Sequence, residues 1–144
     1  MFINEEPEKV ACLLNHGVID IAQLHGSEDE DYIRRLRNLT DKPIIKAFRI
    51  ETAEDIADAE SCTADYVLLD SGAGTGTKFD WNLIQGIKRP YFLAGGLGAH
   101  NVENAVKLLR PFAIDVSSGI ETDGVKDKLK MAAFVAAVRK EERL

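Results

Sequence analysis

Two short turns rich in glycine and serine are the segments of this sequence best suited to chemistry. Gly95-Gly96-Leu97-Gly98 follows an apolar stretch and precedes a helical pattern beginning near Asn101. Glycines there let backbone N–H groups approach an anion, and a helix N-terminus favours negative charge. Ser117-Ser118-Gly119 follows the next apolar stretch in the same way. On adjacent strands, two such turns build a phosphate site; taken singly, each could be only a tight connection. Asp70 comes directly after Tyr66-Val67-Leu68-Leu69. A carboxyl at an apolar strand end can hold its proton to higher pH and act as a general acid, although capping the Ser71-Gly72 turn is a plainer use. The loop Ser71-Gly72-Ala73-Gly74-Thr75-Gly76-Thr77-Lys78 reads as a lid over that acid or as a flexible connector. His25 could serve as acid, base or ligand, or simply hydrogen-bond within its turn. Arg49 could hold a carboxylate or phosphate, or form a surface ion pair. Asp115 alternates with inward positions of its strand and could accept a hydrogen bond from a ligand at the strand ends. Cys12 falls on a helical stretch and Cys62 in a loop, so neither is placed to be a nucleophile or base.

These groups need a scaffold that delivers them to one place. Strand-like runs occur at Phe2-Ile3, Ile19 to Leu24, Pro43 to Phe48, Tyr66 to Leu69, Tyr91 to Ala94 and Phe112 to Val116. Helical patterns lie between them: Pro7 to Leu14 ended by Gly17, Asp29 to Leu39, a stretch opened by Thr52-Ala53-Glu54-Asp55, one following His100-Asn101, and a last one from about Asp127 to Arg143. Such alternation specifies a parallel sheet with helices outside. The polar residues after the strands, His25, Arg49, Asp70, Gly95 and Ser117, recur at intervals of 24, 21, 25 and 22 residues. Even delivery at every strand end favours a (β/α) barrel over an open doubly wound sheet, which concentrates its ligand groups at one switch point. Six strand–helix units can be counted, the first strand a stub, where an eight-unit barrel needs at least ~200 residues. The expected architecture is therefore an α/β fold: one incomplete parallel (β/α) barrel of the TIM type spanning residues 1–144. Its missing units would lie at the N-terminus, where Met1-Phe2-Ile3-Asn4 enters mid-strand.

Composition narrows the partners. The 144 residues are 45% hydrophobic and 29% charged, with a formal net charge of −6. That balance argues against nucleic acid, and no apolar run approaches the ~18 residues of a membrane span. The acidic start lacks the basic region of a signal peptide, and two cysteines without metal spacing fit reduced thiols in the cytoplasm. The expected partner is a small phosphorylated molecule.

Several segments together resemble the phosphoribosylanthranilate isomerase family. They are Gln23-Leu24-His25-Gly26, Leu69-Asp70-Ser71, Gly74 to Trp81, Leu93-Ala94-Gly95-Gly96-Leu97 and Ile114 to Glu121, in the family's order across essentially the whole chain. The resemblance implies strands three to eight of an eight-stranded barrel. It implies an Amadori rearrangement of N-(5-phosphoribosyl)anthranilate in tryptophan biosynthesis, with no cofactor and no metal. It implies Asp70 as the general acid and phosphate binding at Gly95, Gly96, Ser117, Ser118 and Gly119. Asp115 matches an anthranilate-side contact, and His25 and Arg49 match positions near the pocket. The family's base, a cysteine in a Lys-hydrophobic-Cys-Gly segment at the end of the first strand, has no counterpart here. A substrate-contacting arginine after the second strand is also absent. A non-catalytic phosphate-binding remnant of the same barrel is the alternative. Indoleglycerol-phosphate synthase fits less well, since Lys46 is the one lysine within a strand and no glutamate ends one. Without two strands the barrel would present two free edges, for which a homo-oligomer joined at those edges is the expectation.

Overall fold

A computed structural model describes residues 1–70 and 81–141. The Gly-Thr loop read as a lid, and most of the Gly74 to Trp81 segment, lie outside the described residues.

Local chemistry explains most of the helices. Pro7 sits in the first turn of α1 (Pro7–Asn15), and Gly17 follows its end with φ of 69°. The Asp29 side chain caps α2 (Glu30–Arg37) by accepting from the Tyr32 N–H at 2.9 Å. Acidic residues fill the first turn of α2 and arginines its last, matching the helix dipole. Thr52 and Asp55 form a reciprocal capping box at the start of α3 (Ala53–Ser61). α4 (Val102–Leu109) and α5 (Lys128–Glu141) complete the set.

The strands are β1 (Ala22–Leu24), β2 (Ile44–Arg49), β3 (Tyr66–Asp70), β4 (Tyr91–Ala94) and β5 (Ala113–Ile114). They form one parallel sheet in chain order, and Phe2 adds a parallel bridge to Leu24 beyond β1. β1 begins three residues later than the expected Ile19. In the observed register Ile21 would face Pro43, which has no N–H to give, and the ladder opens with Ala22 N–H donating to Pro43 O. β5 is shorter than the expected Phe112 to Val116. Even so, Phe112 and Asp115 N–H groups bond Tyr91 and Leu93 carbonyls on either side of it. A hairpin the sequence reading did not anticipate, β6 (Glu121–Thr122) with β7 (Val125–Lys126), turns through Asp123-Gly124 at φ of 52° and 78°. That is the Asp-Gly signature of a two-residue hairpin turn.

The sheet is rolled. Laid flat, β1 and β5 would stand four strand spacings apart, about 19 Å. Yet Gln23 Nε2 on β1 donates to Asp115 Oδ2 just past β5 at 3.2 Å. Alternation gives the rolled sheet two apolar faces. Ile44, Val67, Leu69, Tyr91 and Leu93 pack under the helices. Ile45, Ala47, Leu68 and Ala94 line the concave side with Tyr66 and Phe92. The rings of Tyr66, Phe92 and Phe112 contact one another, Tyr66 stacked on Phe112 and the other two pairs edge-to-face, with centroids 5.5 to 5.9 Å apart.

One charged pair sits behind the sheet. Lys46 alternates onto the helix side and is buried with Glu28, Nζ to Oε2 being 3.3 Å. The Glu28 carboxylate also accepts from Asn4 N–H at 2.7 Å and Gly26 N–H at 2.8 Å, while Lys46 donates to Gly26 O at 2.7 Å. These bonds tie the turn after β1 to the start of the chain. No helix among the described residues is long and apolar enough to cross a membrane.

Candidate active site

Because every strand of the main sheet runs the same way, all their carboxyl ends open on one side. A cleft of about 410 Å³ lies there, lined by Gln23, His25, Asp70, Gly95, Gly96, Asp115, Ser117, Ser118 and Gly119, with Met1, Ala94, Leu97 and Val116 between them. Eight of the nine residues picked out from sequence converge on it.

Arg49 is the ninth, and of its two readings the structure shows the surface ion pair. Its Nε pairs with Glu51 Oε1 at 2.7 Å, the side chain is more than half exposed, and it does not line the cleft. An acidic neighbour two residues along holds the guanidinium at the rim. The thiols also stay away: Cys12 is exposed on α1 beside His16, and Cys62 is buried at the end of α3. Burial pushes the Cys62 thiol up, so it is a poor thiolate even where it stands.

Asp70 ends β3, in register between Arg49 of β2 and Ala94 of β4. Its side chain is half-buried on the concave side, with Oδ2 3.6 Å from His25 Nε2. His25 Nδ1 lies 3.4 Å from Gln23 Oε1, and Gln23 Nε2 reaches Asp115. Polar groups thus cross the cleft floor from β5 to β3 by way of β1. Sequence reading missed Gln23. The available signal was alternation, which puts positions 23 and 25 on one face of the strand.

Opposite stand the two turns. Gly95 and Gly96 have φ of 88° and 58°, a region that side-chain-bearing residues rarely adopt. Asn101, just ahead of α4, accepts from Gly98 N–H at 2.9 Å and donates to Gly96 O at 3.0 Å, stapling that turn. Ser117 O is held by Lys126 from the β6–β7 hairpin, Nζ to O being 2.9 Å. The two turns touch directly: a Cβ on Gly119 would stand 1.8 Å from Leu97 O. Their backbones therefore form one continuous lining, with the start of α4 behind it. This arrangement suits a phosphate at one end of the cleft and a proton-transferring carboxyl at the other. Among the described residues no cluster of His, Cys, Asp and Glu is placed to hold a metal ion.

Residues 1–137 match the profile of the family described as N-(5'phosphoribosyl)anthranilate (PRA) isomerase. The chain belongs to that family. An N-(5'-phosphoribosyl)anthranilate isomerase of Caldanaerobacter subterraneus subsp. tengcongensis is 42% identical over 146 residues, spanning 96% of this chain and 70% of the relative. The crystal structure of the Thermotoga maritima phosphoribosyl anthranilate isomerase superposes with a TM-score of 0.84 at 34% identity, covering 96% of this chain and 71% of that one. Another structure of such an isomerase, in complex with reduced 1-(o-carboxyphenylamino)-1-deoxyribulose 5-phosphate, gives 0.81 at 34% identity over 96% of this chain and 69% of that one. The rolled parallel sheet with alternating helices is thus part of the isomerase barrel, as the strand spacing predicted.

Gly119→Ala tests how close the two turns of this isomerase-family cleft must be. The obstacle is a backbone carbonyl, which cannot swing aside as a side chain would. We expect a loss of about 1–3 kcal/mol, read as weaker binding of inorganic phosphate by calorimetry and a lower unfolding midpoint. Gly86→Ala, whose Cβ would meet nothing within 4 Å, is the control and should change neither. Equal behaviour of the two variants would show that the turns separate freely.

Proposed function

We propose that this cleft binds N-(5'-phosphoribosyl)anthranilate and serves its Amadori rearrangement to 1-(2-carboxyphenylamino)-1-deoxyribulose 5-phosphate, a step of tryptophan biosynthesis. The observation that carries this reading is the convergence of Asp70, Asp115 and the two turns on one cleft in a chain of this family. Phosphate would lie on the Gly95-Gly96 and Ser117-Ser118-Gly119 backbone, where N–H groups and the α4 N-terminus favour an anion. Asp70 would protonate the furanose ring oxygen, the C1′–O bond would break to give the Schiff base, and loss of the C2′ proton would give the enolamine that tautomerises to the ketone. Asp115 would take the anthranilate end. The C2′ proton needs a base, and neither Cys12 nor Cys62 lines the cleft.

The 144-residue chain by itself should therefore bind phosphorylated ligand without turning it over. Calorimetry with the reduced product analogue, paired with a fluorescence assay of phosphoribosylanthranilate, checks both halves. The expected result is saturable one-to-one binding and a flat fluorescence trace. Joining the chain behind the first two βα units of a family relative should restore turnover. Failure of the analogue to bind, or turnover by the chain alone near the level of a relative, would overturn the reading.

We further propose that the chain alone associates with a second copy. The outer side of β5 adjoins a groove lined by Val106, Phe112, Ile114, Phe134 and Val138, and Phe112 is 62% exposed. Unpaired strand edges beside apolar surface favour association. Light scattering at micromolar concentration should give more than the monomer mass, and a monodisperse monomer would refute it.

A further inference from the structure

A general acid at Asp70 must be reprotonated after every turnover. Resting on the isomerase reading of the cleft, we propose that Gln23 locks His25 in its Nδ1–H tautomer, so that His25 Nε2 faces Asp70 and recharges it. Gln23 and His25 are then positioning residues for the general acid.

Asp115 fixes the orientation of the Gln23 amide. A carboxylate only accepts hydrogen bonds, so the Gln23 amide must turn its NH₂ toward it, as the 3.2 Å Nε2–Oδ2 contact has it. The opposite amide orientation would set two acceptors against each other. With Nε2 so committed, Gln23 Oε1 is the atom left facing His25 Nδ1, at 3.4 Å. An amide oxygen cannot donate, so the hydrogen between them belongs to Nδ1. The imidazole then presents Nε2 to Asp70 Oδ2, 3.6 Å away. That gap is just beyond hydrogen-bond length, and a small side-chain rotation closes it.

The backbone that carries the ring is held from both sides. The His25 backbone N–H donates to Phe2 O at 2.8 Å, and the next residue, Gly26, is clamped by Glu28 and Lys46. Among the described residues, the charged or titratable groups facing the ring inside the cleft are Asp70 at the end of β3 and, through Gln23, Asp115 after β5.

Between Nε2 and Oδ2 there is room for one proton. With the ring protonated on both nitrogens, Nε2–H passes its proton to Asp70 Oδ2. His25 is left as the neutral Nδ1–H form, the one Gln23 accepts from. Asp70 then donates to the ring oxygen of the substrate as the C1′–O bond breaks, and its carboxylate is left opposite neutral Nε2. Water, which reaches both half-exposed side chains, returns one proton to the pair, balancing the one delivered to substrate. A His25 fixed the other way, with hydrogen on Nε2 when neutral, could not take part in this exchange.

The tautomer can be read without any turnover. Nitrogen-15 NMR of the histidine side chains in the 144-residue chain near pH 9 should show His25 protonated on Nδ1 and not on Nε2. Gln23→Met should shift it toward the Nε2–H form that a free neutral histidine side chain favours. An Nε2–H signal in the unmodified chain, which needs no variant to fold, overturns the proposal. The second readout is kinetic, in the chain joined to the βα units of a relative. His25→Gln should lower kcat about tenfold or more, a barrier rise of ~1.4 kcal/mol or more, with KM nearly unchanged. The Nδ1–H form with an unaltered kcat would overturn the recharging role. Absence of turnover in the joined but otherwise unmodified protein would sink the isomerase reading instead, and the NMR result would still decide the lock.

Discussion

Asp70→Asn is expected to lower kcat by about 10²- to 10⁴-fold in the chain joined to the βα units of a relative, while the reduced product analogue binds almost as before. Asparagine keeps the shape and the hydrogen-bonding reach of aspartate but has no proton to give at the ring oxygen. The side chain stands at the carboxyl end of β3 on the concave face, with the two phosphate-suited turns across the cleft. Its substitution should therefore change chemistry more than binding. A kcat within about tenfold of the parent, under 1.4 kcal/mol of barrier, would show that another group protonates the substrate. A parallel loss of analogue affinity would instead assign Asp70 to binding.

Lys46→Met should cost about 3–5 kcal/mol of folding stability, more than any other single substitution named above. The loss would come less from the missing attraction than from the Glu28 carboxylate left behind in a site with no exposed side-chain surface. Burial pushes the Glu28 carboxyl up. Its bonds from the Asn4 backbone and from Lys46 outweigh that and hold it below its ordinary value of 4.5. A carboxyl depressed by folding contributes stability that is fully present above its unfolded value and is lost as pH falls through the folded one. Urea unfolding should thus show the parent losing stability below about pH 4.5, with Glu28→Gln less sensitive to pH over the same range. A double replacement, Glu28→Leu with Lys46→Met, should recover much of the single loss, since no charge is stranded. A Lys46→Met midpoint within about 1 kcal/mol of the parent would mean that water already reaches the pair.

What could be read from sequence divides along physical lines. The Thr52 capping box and the glycine turn at Gly95-Gly96 depend on neighbours within a few residues, and both occur as read. Strand order followed from alternation together with the even spacing of the polar strand ends, which favoured a barrel over a doubly wound sheet. Contacts between distant segments left no such trace. Gln23 and Asp115 are 92 residues apart, and Glu28 and Lys46 are 18 apart on elements whose relative placement only the folded sheet decides. The two readings of Arg49 could not be separated from sequence for a related reason. Spacing locates a Cα at a strand end, whereas a long, flexible side chain goes where its strongest partner is, here Glu51. The late start of β1 shows a backbone constraint from one strand acting on the next, through Pro43. The Asp123-Gly124 turn was legible in principle, but its two-residue strands are too short to announce themselves by periodicity.

The bond between Gln23 and Asp115 also makes the ligand a mechanical element of this protein. It joins the two ends of a sheet whose strands are hydrogen-bonded each to its neighbour in chain order. A phosphorylated molecule seated between His25 and the Ser117 turn would span the same gap and fasten it a second time. Occupied and empty chains should then differ in how the sheet comes apart. With the cleft empty, β1 or β5 can peel away while the middle strands stay paired; with it filled, the sheet should tend to open as one unit. Melting temperature should accordingly climb with ligand concentration, by about 2.7 kcal/mol of added stability at a hundredfold excess over Kd. In a cell, the abundance of this chain would track the supply of its substrate.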